Sequence, residues 1–116
     1  MAKEIVKKRS TITVNVGLNA EQMPVELHWK ASDKPGPAEG CKGMLLSLFN
    51  EQSKETMKID LWTKEMQVVE MDRFMYQTLR GLAETYYRAT GNQELANDMQ
   101  QFVFYFGQAT GAIPKQ

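Results

Sequence analysis

Few side chains in this 116-residue chain could do chemistry. There is one histidine, His28, and one cysteine, Cys41. Nucleophilic catalysis needs a nucleophile and its base within hydrogen-bond reach. His28 falls on the polar side of an alternating segment and Cys41 in a glycine-rich loop, so the expectation is a surface histidine and an incidental thiol. A zinc site of the common kind needs three or four His or Cys ligands, and the chain has two such residues. Asp60, Glu65, Glu70 and Asp72 cluster along one stretch but lack the spacing of a calcium loop. Glu70 and Asp72 fall at a predicted helix start, where negative charge meets the positive end of the helix dipole. No glycine-rich phosphate loop occurs. The residues therefore point away from an enzyme and imply no cofactor.

Composition narrows the class further. Apolar residues make up 42% and charged residues 24%, which predicts a chain that folds on its own. Its length predicts a single domain over residues 1–116. Lysine plus arginine and aspartate plus glutamate each number 14. No net field then draws the chain to nucleic acid or to an anionic membrane. A lone cysteine allows no internal disulfide. The N-terminus has no uninterrupted apolar run, and no segment reaches the length of a membrane span. The expectation is a cytoplasmic protein that neither binds nucleic acid nor inserts into a membrane.

The elements that position these residues come in two blocks, strands and then helices. In residues 10–18, Ile12, Val14, Val16 and Leu18 alternate with Thr11, Thr13 and Asn15, the pattern of a half-buried strand. Val25, Leu27, Trp29 and Ala31 repeat the alternation after a short connection, which predicts an antiparallel hairpin. Residues 32–43 carry two prolines and three glycines and read as the most mobile loop. The basic run Lys7-Lys8-Arg9 reads as a solvated lead into the first strand. Met44 to Asn50 is apolar on both sides, which suits a central strand. A fourth strand ends at Trp62, with Met57, Ile59 and Leu61 on one side. The spacing then changes to that of a helix from about Val69 to Thr90, with Gly91 as its cap. A second helix follows, from Gln93 to Thr110, with Asn92 as its N-cap. The fold class is α+β: a four-stranded antiparallel sheet followed by a two-helix hairpin packed on one face.

Two positions break the pattern of these elements. On the second helix Leu95, Met99, Phe102, Val103 and Phe106 form the predicted core stripe. Phe104 projects about 100 to 200 degrees away from it, in the company of Asn97, Gln100, Gln101 and Gln108. From Thr90 to Gln108 the only charges are Glu94 and Asp98. An exposed aromatic in a charge-poor setting has the composition of an interface core. Trp62, opposite the apolar side of its strand, is a second candidate contact. Met66, Met71, Met75 and Met99 could line an adaptable apolar surface, with ordinary core packing as the default.

The segment Lys54–Met66, KETMKIDLWTKEM, resembles the gliding-motility GldC family of Bacteroidetes, and Ile59–Lys64 is its most specific part. Arg73–Leu79, the Ala89–Gly91 helix break and Ile113–Lys115 extend the resemblance, as do ITVNVGLN and PVELHWKASD nearer the N-terminus. The chain departs from the family pattern at Gln67, Val68 and Val69, where proline and aspartate are usual, and this bears on where the first helix begins. The resemblance implies a small cytoplasmic accessory protein of the gliding apparatus or an associated secretion machinery. It brings no catalytic residue and no cofactor. The residues themselves, apart from the resemblance, point to a protein partner met through Phe104, Gln100, Gln101, Gln108 and Trp62, or to a second copy met through the second helix. Two rival functions stand beside this one. Four strands followed by two helices is also the order of SecB-like export chaperones, which hold unfolded polypeptide. A small-ligand protein would use the 32–43 loop and His28.

Overall fold

Alternation in the first half of the chain gives strands, as expected. β1 spans Ile12–Leu18 and β2 spans Pro24–Ala31. They pair antiparallel, with Ile12 opposite Ala31, Asn15 opposite His28 and Val16 opposite Leu27. The turn is organised by Asn19, whose Oδ1 accepts from the backbone N–H groups of Glu21 and Met23, both at 3.0 Å. This is how asparagine replaces backbone partners in a turn. The same device closes the second hairpin. β4 (Gly43–Phe49) pairs antiparallel with β5 (Thr56–Trp62), and Asn50 Oδ1 accepts from Gln52 N at 2.9 Å and Ser53 N at 2.8 Å. The structure, a computed structural model, describes residues 4–115. It falls into two compact units, one ending at Glu65 and the other beginning at Met66.

The expected four-stranded sheet is instead two small sheets, and the break lies just ahead of the expected third strand, in the expected loop of residues 32–43. A two-residue strand, β3 (Glu39–Gly40), pairs with β2 through His28 opposite Gly40 and Trp29 opposite Glu39. Cys41 N donates to Leu27 O at 2.8 Å, the last rung of that ladder. At Lys42 the chain turns to the other hairpin, and Lys42 O accepts from Thr63 N at 2.8 Å. From Gly43 onward the strand pairs with β5. The sheets are therefore β1-β2-β3 and β4-β5. β4 was expected to be central because it is apolar on both sides. Among the described residues it has β5 alone as a ladder partner.

The predicted mobile loop is tied down at both ends. Ser32 N donates to Thr11 O at 2.8 Å. Lys34 Nζ lies 2.9 Å from Glu39 Oε1 and 4.8 Å from the centre of the Trp29 ring. Trp29 and Glu39 are register partners, so one lysine spans the rung. Trp29, on the apolar side of the β2 alternation, is half-buried.

The second unit is a helical hairpin. α1 spans Val68–Thr90 and α2 spans Gln93–Thr110. Despite the departure at Gln67–Val69, α1 starts cleanly: Gln67 N donates to Glu70 Oε1 at 3.0 Å, which satisfies a backbone donor that the first turn leaves over. Gly91 ends α1 with a φ of 71°, and Asn92 Oδ1 accepts from Leu95 N at 3.1 Å. Helix end, left-handed glycine and N-cap follow within three residues. Gly111 closes α2 with a φ of 79°. Among the described residues no helix is long and apolar enough to cross a membrane.

Candidate interaction surface

The seam of the helical hairpin is built from small residues. Ala83 on α1 and Ala96, Val103 and Gly107 on α2 are buried. A Cβ placed on Gly107 would lie 2.6 Å from Tyr76 Cε1 and 2.8 Å from Ile113 Cγ1. Glycine is needed there because the Tyr76 ring occupies the space of a side chain.

That seam fixes where the other α2 residues point. Phe104 follows Val103, so it is turned about 100 degrees from the buried line. It is 47% exposed. Gln100, Gln101 and Gln108 stand at i−4, i−3 and i+4 from it, the positions that adjoin a residue on a helix surface. Gln100 and Gln101 are exposed and Gln108 is half-buried. The four positions adjoin one another on the helix surface. Gln100 also lines a cleft of about 420 Å³ between the helices. Ala83 and Ala96 lie in that cleft with Tyr87, Arg88 and Glu84. The Phe104 patch thus runs into a groove with polar walls.

Other parts of α2 depart from expectation. Phe102 was placed in the core stripe, yet it is 52% exposed, and Leu95 is similarly open. The seam runs through Ala96 and Val103, and Leu95 and Phe102 each precede one of these by a single residue, about 100 degrees around the helix. Phe102 packs with its own neighbours, its ring 6.2 Å from those of Tyr105 and Phe106. Tyr105 is more open still, at 64%. The α2 surface therefore holds two aromatic groups, Phe104 and the Phe102–Tyr105 pair. The second was missed because apolar periodicity marks a stripe without saying which edge of it a neighbouring helix covers.

Trp62 closes β5 and is 55% exposed. It lines a shallow depression with Met23, Pro24, Asp60 and Leu61. Lys64 N donates to Pro24 O at 3.1 Å, holding the strand end beside the start of β2. Trp62 belongs to the sheet unit and Phe104 to the helical unit. Met66, Met71, Met75 and Met99 are all half-buried.

The chemistry-bearing residues are arranged as follows. His28 and Cys41 line one open depression with Gly40 and Lys42. Cys41 Sγ lies 3.9 Å from Glu39 O. Among the described residues no group of three or more His, Cys, Asp or Glu side chains could hold a metal ion. A second cavity, of about 330 Å³, lies between the two sheets and is lined by apolar residues including Val14, Leu27, Trp29, Met44 and Leu46.

A family model described as gliding motility-associated protein GldC-like matches residues 24–112. The chain belongs to the GldC-like family. The match takes in β2 through α2 and the whole IDLWTK segment, and β1 lies ahead of it. No curated protein and no solved structure matches the chain.

Proposed function

We propose that this GldC-like protein is a non-enzymatic accessory component of the gliding-motility or associated secretion machinery. It works in the cytoplasm by binding another protein. The observation that carries the reading is Phe104, half exposed on a helix whose adjoining surface is Gln100, Gln101 and Gln108. Buried interface centres are depleted in charge and enriched in aromatics, and a few central aromatics carry most of the binding energy. The groove beside Gln100 gives a partner side chain a place to enter. Trp62 is the secondary contact.

The test is affinity capture of tagged protein from the native cell, paired with Phe104→Glu. Capture of a small, defined set of proteins by the parent and its loss from the variant supports the reading. Capture of the same set by both refutes the Phe104 surface.

One observation favours a second reading. The apolar cavity between the sheets, flanked by exposed Val14 and Leu46, is suited to extended apolar polypeptide, as a SecB-like export chaperone would need. Suppression of aggregation of an unrelated unfolded protein at equimolar ratio distinguishes this from a specific adaptor, which leaves aggregation unchanged.

A further inference from the structure

The two sheets of the first unit leave between them a cavity of about 330 Å³. Burial grades its lining from a closed end to an open one. Leu27 at the base is 2% exposed. Trp29 and Met44 stand half-buried along the walls, and Ile12, Val14 and Leu46 are exposed at the rim. Among the described residues that line it, none is charged and none carries a side-chain hydroxyl or amide. A space lined in this way does not hold water, because a water molecule there finds too few polar partners. Left empty, it deprives its walls of the dispersion contacts that a filled space supplies. The lining therefore selects an apolar occupant, and the volume limits its size.

We propose that this cavity is a binding site for a free medium-chain alkyl or acyl compound with an uncharged head. The volume is about twice the 150 Å³ that holds one benzene, so it takes roughly ten carbons. It lies at the lower end of small-molecule sites, which begin near 300 Å³. One turn of helix, about 10 Å across and 5.4 Å long, already exceeds it, so a helix of a partner or of a second copy does not enter. The tail of the ligand lies against Leu27. Its head stays at the rim, between Ile12, Val14 and Leu46, within reach of water. A charged head gains nothing there, since no lining residue brings the opposite charge. This occupant is distinct from the unfolded polypeptide of the chaperone reading, which would reach the cavity with single side chains.

The test uses the full chain with Trp62→Phe, which leaves Trp29 in the cavity wall as the only tryptophan. Hexanol, octanol, decanol and dodecanol, all straight-chain primary alcohols, are titrated below their solubility limits while Trp29 emission is followed. A saturable shift to shorter wavelength is expected. Each added CH₂ should tighten binding roughly fourfold, and the gain should stop at about ten carbons. Leu46→Lys sets a charge at the rim and should weaken decanol binding roughly tenfold or more. Leu48→Lys, also exposed and on the same strand but outside the cavity, should leave the affinity unchanged. Both variants should keep the parent's circular dichroism. A response that never saturates, that shows no break with chain length, or that is equal with Leu46→Lys overturns the proposal. So does displacement of bound decanol by reduced, carboxymethylated lactalbumin, a permanently unfolded chain, because the site then belongs to polypeptide. Phe104→Glu should bind decanol as the parent does, which keeps this site apart from the partner surface on α2.

Discussion

Gly107→Ala offers a direct test of the helical seam, with Gly81→Ala as its reference. Both glycines lie inside helices, so both gain the same intrinsic preference of alanine over glycine, roughly 0.5–1 kcal/mol. A Cβ on Gly81 would meet nothing within 4 Å. Gly81→Ala should therefore stabilise by the full amount, raising the melting temperature by about 2–4 °C. A Cβ on Gly107 would meet Tyr76 Cε1 at 2.6 Å, Ile113 Cγ1 at 2.8 Å and Tyr76 Cδ1 at 2.9 Å. Forcing a methyl into such a site costs roughly 1–3 kcal/mol. Two different side chains must move, so the upper half of that range applies, and Gly107→Ala should be net destabilising by about 1–2 kcal/mol. The propensity gain is common to both variants, so their difference isolates the steric cost. Denaturant unfolding followed by helical circular dichroism measures it. Repeating Gly107→Ala in a Tyr76→Ala background should recover at least about 1 kcal/mol, because the ring that blocks the methyl is gone. If Gly107→Ala stabilises as much as Gly81→Ala, or if its cost is unchanged without Tyr76, the two helices do not meet in this way.

Three further substitutions have outcomes set by single contacts. Asn92→Ala removes the acceptor for Leu95 N and should cost about 1 kcal/mol, read as a lower denaturation midpoint. Phe104→Glu, at a half-exposed position, should leave the melting temperature within about 2 °C of the parent while it abolishes partner capture. Lys34→Ala removes the cation over Trp29 and the exposed pair with Glu39. It should cost about 1 kcal/mol and shift Trp29 fluorescence to longer wavelength; an unchanged spectrum refutes the Lys34–Trp29 contact.

Sequence periodicity located β1, β2, β4, β5 and both helices to within about two residues, because each sits between strong local signals, and it missed the short β3 inside residues 32–43. Asn19 and Asn50 open turns, and Gly91 with Asn92 both stops one helix and starts the next. The sheet pairing was less legible. Residues 32–43 read as a loop and Met44 to Asn50 as a central strand, but Glu39–Gly40 forms two rungs with β2 and the strand that follows pairs with β5. Nothing in the alternation of residues 39–49 records that change of partner, since alternation assigns faces and not neighbours. The exposure of Phe104 was legible because that residue breaks a pattern. Phe102 was misplaced because it obeys one, and its exposure depends on which side of Ala96 and Val103 the other helix lies.

The residues buried at the seam are mostly small, while several large ones remain open on α2. Ala83, Ala96 and Gly107 are buried at the contact, and small contact residues allow a short distance between helix axes. Phe102, Phe104 and Tyr105 lie outside that contact. The fit along the seam is close, as the Gly107–Tyr76 contact shows, and the aromatic surface of α2 takes no part in it. A helix packed in this way can change its outward aromatics without losing its own packing. Phe104→Glu and Gly107→Ala should therefore separate cleanly, the first changing binding alone and the second changing stability first.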